Sequence, residues 1–416
     1  MRLRSAWLLP ALAVVHAALW AIALSSSALP WTPRQALAQY LSTFVVVVAS
    51  LNLLLATRAR PLERAFGGLD KMFASHRLDG VVVGFVLLGH VTIVQITTPL
   101  APGRLVGLTA FTLIVGSVVL AIAPRAPWRK LLEIPYQTWK AEHRFMGVFV
   151  AIAVWHSLLV PTLVRDLPLV RAYVYGAATL GLLAYVYRGT VFRLIARRHR
   201  YLVSDVNRLG DRVLEARLEP VSSPIAYSAG QFAFARFDGG PSHEAHPFTI
   251  SAAPADGSVR FSIKGSGDFT DALQTHLAAG SEARVEGPYG MFDFRSGKRR
   301  QLWLAGGIGI TPFLAFLPTV ETDREIMLVW SVRHEDQAIY RAELESLAAE
   351  KPGVNLIVWP TSSKGHLDVT SLGLADLREL SIFICGPVEM RESYLEQLTA
   401  LGSRRTDIHY EEFTLR

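Results

Sequence analysis

The 416-residue chain contains a single cysteine, Cys385. One thiol excludes an intramolecular disulfide, a pair of thiolate metal ligands and covalent haem attachment through C-x-x-C-H, a pattern the sequence lacks. Acidic residues are scarce in the first 200 positions, 6 against 21 Lys and Arg, whereas positions 201–416 carry 29 against 21. The net charge of +7 therefore originates in the first half. That half is also the apolar one, so its basic residues read as membrane orientation charge and not as a nucleic-acid surface. Internal repeats and long low-complexity segments are absent too.

What the first half does contain is length without charge. Apolar windows fall at residues 6–25, 36–56, 75–97, 105–123, 145–163 and 169–188, each long enough to cross about 30 Å of hydrocarbon. Arg2 and Arg4 before the first window imitate a secretory signal, but five further windows follow, so it reads as the first of six spans. Arg58, Arg60, Arg64 and Lys71, then Arg125, Arg129, Lys130 and Lys140, then Arg193, Arg197, Arg198 and Arg200 occupy alternate connections. The opposite ones hold only Arg34, Arg104, Arg165 and Arg171. The bias of basic residues toward the cytoplasm puts both termini inside and makes this an integral protein of the cell membrane.

Two of these windows carry a spaced pair of histidines: His76 and His90 in the third, and His143, just before the fifth, with His156 inside it. Ionisable side chains inside a bilayer are costly and mark function by default. A 14-residue spacing leaves His76 and His90 about 40° short of four helical turns and about 21 Å apart along the axis. The 13-residue spacing of His143 and His156 leaves about 140°, which requires local tightening, tilt or laterally offset partners. Spans three and five both run outward, so His76 faces His143 at the inner level and His90 faces His156 at the outer. That pattern points to two stacked b-type haems, each held by one imidazole from each span. His16, in the first span, has no partner at a matching depth and reads as structural.

From about residue 199 short alternating strands such as 212–218, 231–237 and 258–264 suggest a small antiparallel barrel. After Arg299 strands and helices alternate, the rhythm of a parallel sheet with crossover helices. The expected organisation is an α-helical six-span bundle over 1–198, an antiparallel β-barrel over 199–297 and an α/β parallel-sheet domain over 298–416. The barrel carries His246-Pro247-Phe248-Thr249-Ile250-Ser251 on a strand, then Lys264-Gly265-Ser266-Gly267-Asp268-Phe269-Thr270 turning into a helix. Free amides at that helix start, with Lys264 beside them, suit a diphosphate. In the α/β region an apolar strand runs into Gly306-Gly307-Ile308-Gly309-Ile310-Thr311-Pro312, where glycines permit close approach to a pyrophosphate and Pro312 suits a first helical turn. Cys385-Gly386-Pro387 ends another strand, the edge where open parallel sheets bind ligands. Ser331 and Arg333 are placed to bond a ribose 2′-phosphate.

In this order the motifs resemble the NADPH oxidase and ferric reductase superfamily, over roughly residues 36–416, and the compact six-span form resembles the prokaryotic members. The resemblance implies FAD, two b-type haems and NADPH, or NADH, as cofactors. It implies that His246, Pro247, Phe248, Thr249, Ser251, Lys264, Phe269 and Thr270 meet FAD, with Phe413 covering the flavin ring. It further implies that Gly306, Gly307, Gly309, Thr311, Pro312, Ser331, Arg333, Cys385, Gly386 and Pro387 frame the nicotinamide nucleotide, and that Phe413, Thr249 and Cys385 surround the site of hydride transfer. Phe149 matches an aromatic that lies between the haems. The implied activity is electron transfer from cytosolic NADPH to extracytoplasmic oxygen, yielding superoxide. Val94 stands where animal members carry a further histidine, and a ferric chelate or quinone is the alternative acceptor. No docking domain, calcium loop or proline-rich segment is evident, so activity without an activating subunit is expected.

Overall fold

The computed structural model describes residues 5–25, 32–94, 102–123, 136–192, 199–210, 212–238, 244–253, 256–374 and 376–411. Phe413 lies outside the described residues, as do Arg125, Arg129, Lys130, Arg193, Arg197 and Arg198. Contacts divide the chain into two units that meet near residue 195 in the sequence.

The first unit is helical: α1 (Ser5–Ser25), α2 (Pro33–Leu55), α3 (Arg60–Phe66), α4 (Leu69–Ile93), α5 (Pro102–Ile122), α6 (Tyr136–His143), α7 (Met146–Leu159), α8 (Leu163–Asp166) and α9 (Pro168–Val186). Among the described residues five helices are long and apolar enough to cross a membrane: α1, α2, α4, α5 and α9, the last continuing to Val191. The expected fifth span is different. The chain breaks at Arg144 and Phe145, leaving α6 and the 14-residue α7 on either side.

Local chemistry explains where these helices start and how they meet. Thr32 opens α2 with a capping box: its hydroxyl accepts from the Gln35 amide while the Gln35 side chain accepts from the Thr32 amide, satisfying two otherwise orphaned donors. Gly181 of α9 lies so close to Ser50 of α2 that a Cβ would stand 2.7 Å from its Cα. Val48, Ala49, Leu53, Val83, Leu87, Ile114, Phe149 and Val150 form the core between α2, α4, α5 and α7. Phe149 is buried in that core.

The second unit holds two sheets. Strands β1 (His199–Leu209), β2 (Val213–Pro220), β3 (Phe232–Phe237), β4 (His246–Thr249), β5 (Val259–Lys264) and β6 (Glu282–Tyr289) form an antiparallel sheet in the order β4-β3-β6-β1-β2-β5. It curls until its two edges touch: Ile250, just past β4, bridges Phe261 of β5, and the Ser251 amide donates to the Arg260 carbonyl at 2.8 Å. A curled antiparallel sheet is thus what stands where a barrel was expected. Strands β7 (Arg300–Gly306), β8 (Glu325–Val332), β9 (Val354–Pro360), β10 (Ser381–Cys385) and β11 (Ile408–Tyr410) form the second sheet, parallel throughout, in the order β11-β10-β7-β8-β9. Its central strands are buried on both faces and correspondingly apolar, Leu302, Trp303, Leu304, Ile382, Phe383 and Ile384 being fully inaccessible.

Polar contacts tie the two sheets together. Arg260 of β5 pairs with Glu343, in the helix Arg341–Ala349, at 2.8 Å, and the Tyr340 hydroxyl donates to Ser262 of β5 at 2.7 Å. Ser251 joins the same group through its hydroxyl, 2.9 Å from that of Ser262. Ser251 is fully buried here, so the structure gives this residue a bracing place within the fold.

Candidate functional sites: a histidine ladder and a nucleotide cavity

In the helical unit the four histidines meet in two pairs. The rings of His76 and His143 lie 6.0 Å apart at nearly perpendicular planes, and His90 and His156 are close enough to interact electrostatically. Each has a partner for Nδ1. His76 meets the Asn52 carbonyl at 3.3 Å, His90 the Ala38 carbonyl at 2.8 Å and His156 the Gly103 carbonyl at 2.7 Å. A carbonyl only accepts, so these three Nδ1 atoms carry the proton and their Nε2 lone pairs are left for a metal. His143 instead meets a hydroxyl, Ser117 Oγ, at 3.4 Å, and Ser117 donates to Glu142 at 3.0 Å.

The break between α6 and α7 resolves the spacing problem at His143 and His156. His143 ends one helix and His156 belongs to the next, so the angle between them is no longer fixed by one continuous helix. Tyr185 of α9 seats the break: its hydroxyl donates to the Arg144 carbonyl at 2.9 Å, and its ring packs where a Cβ on Gly147 would fall, 2.2 Å from the ring. His16 donates to the Tyr40 carbonyl at 3.1 Å among Trp20, Phe44 and Tyr173, consistent with a packed, structural place.

In the second unit a cavity of about 770 Å³ opens at the carboxyl edge of the parallel sheet. Lys264, Gly306, Gly307, Ser331, Arg333 and Pro387 line it, six of the residues singled out from sequence. The glycines divide the work. Gly307 has a positive φ of 51° with open space beside it, so its backbone faces the cavity in a conformation costly for other residues. Gly306, Gly309 and Gly386 serve contact instead: a Cβ on Gly306 would meet Met390 at 2.5 Å, and one on Gly386 would meet the same side chain at 2.4 Å. Trp330 holds this loop from below, its indole donating to the Gly307 carbonyl at 2.9 Å.

Thr311 is buried and its hydroxyl donates to the Ile308 carbonyl, while Pro312 occupies the first turn of the helix Thr311–Phe316. Both shape the loop and neither lines the cavity. Cys385 is fully buried beneath it, and burial, with the Glu411 carboxylate adding to it, pushes the thiol well above its ordinary range. Such a thiol is no nucleophile at neutral pH.

The flavin-motif residues sit along β4 and the turn after β5. Thr249 is buried, and its hydroxyl has no hydrogen-bond partner among the described residues, which fits a polar ligand atom at that point. The His246 ring stacks on Phe269 at 3.7 Å, and Pro247 and Phe248 pair with Phe234 and Ala233 of β3. The Thr270 hydroxyl accepts from the Ser266 amide and donates to the Gly267 carbonyl, closing the turn that begins the helix Asp268–His276. Lys264 stands exposed beside it.

Several site residues were not foreseen. Trp330 and Met390 belong to the loop's support, Tyr394 contacts Ser331 at 3.3 Å, and Thr361 and His366 line the cavity. Ser117 carried one visible signal, a polar residue within an apolar window.

The family matches fall in this second unit. Residues 198–293 match an FAD-binding domain and residues 303–396 an oxidoreductase NAD-binding domain. The toluate 1,2-dioxygenase electron transfer component of Pseudomonas putida is 28% identical over 51% of this chain and 66% of its own length. The NAD(P)H-flavin reductase of Aliivibrio fischeri is 24% identical over 47% of this chain and 90% of its own. Flavohemoglobin from Malassezia yamatoensis shares the fold at 18% identity, covering 91% of this chain and 97% of that one with a TM-score of 0.53. By the two domain matches, the second unit is an oxidoreductase module of the ferredoxin-NADP reductase kind, built of an FAD-binding and an NAD-binding domain.

Proposed function

We propose that this chain carries electrons across a membrane, from NAD(P)H through FAD and two b-type haems to oxygen on the far side, where superoxide forms. The observation that carries this reading is the histidine ladder. Two metal–nitrogen bonds of about 2 Å each plus the two ring radii span about 6 Å, close to the 6.0 Å between the His76 and His143 rings. Three anchored Nδ1 atoms leave Nε2 as the ligating nitrogen, the arrangement in which a partner at one ring nitrogen fixes the other for the metal. Five helices among the described residues are long and apolar enough to cross a membrane, and the basic connections of the sequence favour a cytoplasmic side for the nucleotide-binding half.

Flavin and haem iron supply hydride acceptance and one-electron transfer when bound; the chain supplies position. Gly307 offers its backbone to the pyrophosphate, Ser331 and Arg333 receive the ribose phosphate, and Thr249 meets the flavin from β4. His76 with His143 and His90 with His156 would each hold one haem iron by two imidazoles, and such a haem would supply one-electron transfer and not oxygen binding. Moving an electron outward from a negative interior is favoured by about 2.3 kcal/mol per 100 mV.

A second reading keeps the NAD(P)H and FAD module but sends the electrons to a ferric chelate, a quinone or a partner protein. The specific observation behind the last of these is that relatives are named as electron transfer components of oxygenases. One experiment separates the readings: the reduced-minus-oxidised spectrum and haem content of the detergent-purified chain, for wild type and His90→Ala, followed by cytochrome c reduction with and without superoxide dismutase. Two haems falling to about one, with dismutase-sensitive reduction, is the expected result. Flavin absorbance alone would end the transmembrane reading, and dismutase-insensitive reduction would end oxygen as the acceptor.

A further inference from the structure

We propose that Glu142 and Ser117 form a charge relay behind His143, lowering the reduction potential of the His76–His143 haem below that of the His90–His156 haem. This rests on the haem reading above and adds a direction to it: electrons entering at the first pair find the second downhill.

The argument begins with an asymmetry. His76, His90 and His156 set Nδ1 against uncharged peptide carbonyls. His143 alone faces a side chain, Ser117, which is 1% exposed and also bonds Glu142 Oε2 at 3.0 Å. A serine hydroxyl has one proton to give. Once iron takes Nε2 of His143, Nδ1 carries its N–H and can only donate. The hydroxyl must then accept from His143, and its own O–H donates to the Glu142 carboxylate. Both hydrogen bonds are satisfied in that direction and no other.

The consequence is electrostatic. A carboxylate acting through a hydrogen bond makes a histidine ligand more basic, and a more basic ligand stabilises ferric over ferrous iron. Arg77 also reaches this pair with its charge, through His76. That contribution sits on the opposite ligand and is untouched by changes at Glu142, so a difference measurement isolates the relay. Sequence places Glu142 next to His143 on the last turn of α6, so one helical turn positions the ligand and the charge together.

The test is a potentiometric titration of the purified full-length protein, followed at the haem visible bands, for wild type, Glu142→Gln and Ser117→Ala. Wild type is expected to show two haems and two one-electron waves. In both variants the lower wave should move upward by roughly a tenfold change in the reduced-to-oxidised ratio, about 59 mV, while the upper wave holds and haem content stays at two. A lower wave that stays put in either variant, or two waves that shift together, overturns the relay. So does loss of haem in both variants, which would mark the hydrogen bonds as purely structural. If only one variant loses haem, the other decides by the same wave. Wild type without haem would instead defeat the reading on which the relay rests.

Discussion

A Cβ placed on Gly309 would stand 2.2 Å from the carbonyl oxygen of Cys385. The loops that leave β7 and β10 therefore touch backbone to backbone, and this contact shapes the wall of the cavity on which Gly307 sits. Backbone cannot yield as a flexible side chain can. Gly309→Ala is expected to cost about 1–3 kcal/mol of overpacking and to lower kcat/KM for NAD(P)H at least tenfold, with FAD content unchanged. Steady-state kinetics beside a flavin assay checks this; an alanine variant with normal kinetics would show that the two loops are not held in contact.

The same reasoning reaches the histidine ladder. A methyl group on Gly107 would fall 2.6 Å from Cε1 and 2.9 Å from Nε2 of His156, whereas one on Gly116 of the same helix meets nothing within 4 Å. Gly107→Ala should therefore displace the His156 ring and reduce haem from two per chain toward one, while Gly116→Ala keeps both. Equal haem in the two variants would remove His156 from the ligand set.

How much of this could be read from the residues alone depends on what kind of information each feature carries. The histidines announced themselves because imidazole is costly in an apolar window, and their pairing followed from the shared outward direction of the third and fifth spans. The glycine loop announced itself by position, at the end of an apolar strand. The break at Arg144 and Phe145 was illegible: Trp139 to Phe145 contains neither proline nor glycine, and the Tyr185 hydroxyl that seats the break lies 41 positions away. The carbonyls of Asn52, Ala38 and Gly103 were equally hidden, since every residue has one and only packing selects which is used. Ser251 looked like a flavin residue because it closes the motif, but β4 ends at Thr249, and past that end the Ser251 hydroxyl turns to Ser262. The bond from the Thr311 hydroxyl to the Ile308 carbonyl was hidden in the same way.

Arg333 lines the cavity and is exposed, next but one to Ser331 at the end of β8. A charge-assisted hydrogen bond contributes roughly 1.5–3 kcal/mol, so Arg333→Ala should raise KM for NADPH by about tenfold or more and leave KM for NADH nearly unchanged. Measuring both cofactors on both proteins decides it. Parallel losses with NADPH and NADH would mean that Arg333 serves the fold and not the phosphate.

Cys385 yields a prediction whose sign follows from its burial. The folded thiol is held well above its ordinary range by desolvation, with Glu411 adding to the effect, while in the unfolded chain it titrates near the ordinary thiol value of about 8.5. The neutral form is favoured by folding, so this contribution to stability is complete below the unfolded value and is lost as pH rises beyond it. The thermal midpoint of wild type should thus fall more steeply above about pH 8.5 than that of Cys385→Ala. Iodoacetamide at pH 8 should leave the folded protein unmodified and label it after denaturation. Rapid labelling of the folded chain would place the thiol within reach of solvent and remove it from beneath the nucleotide loop.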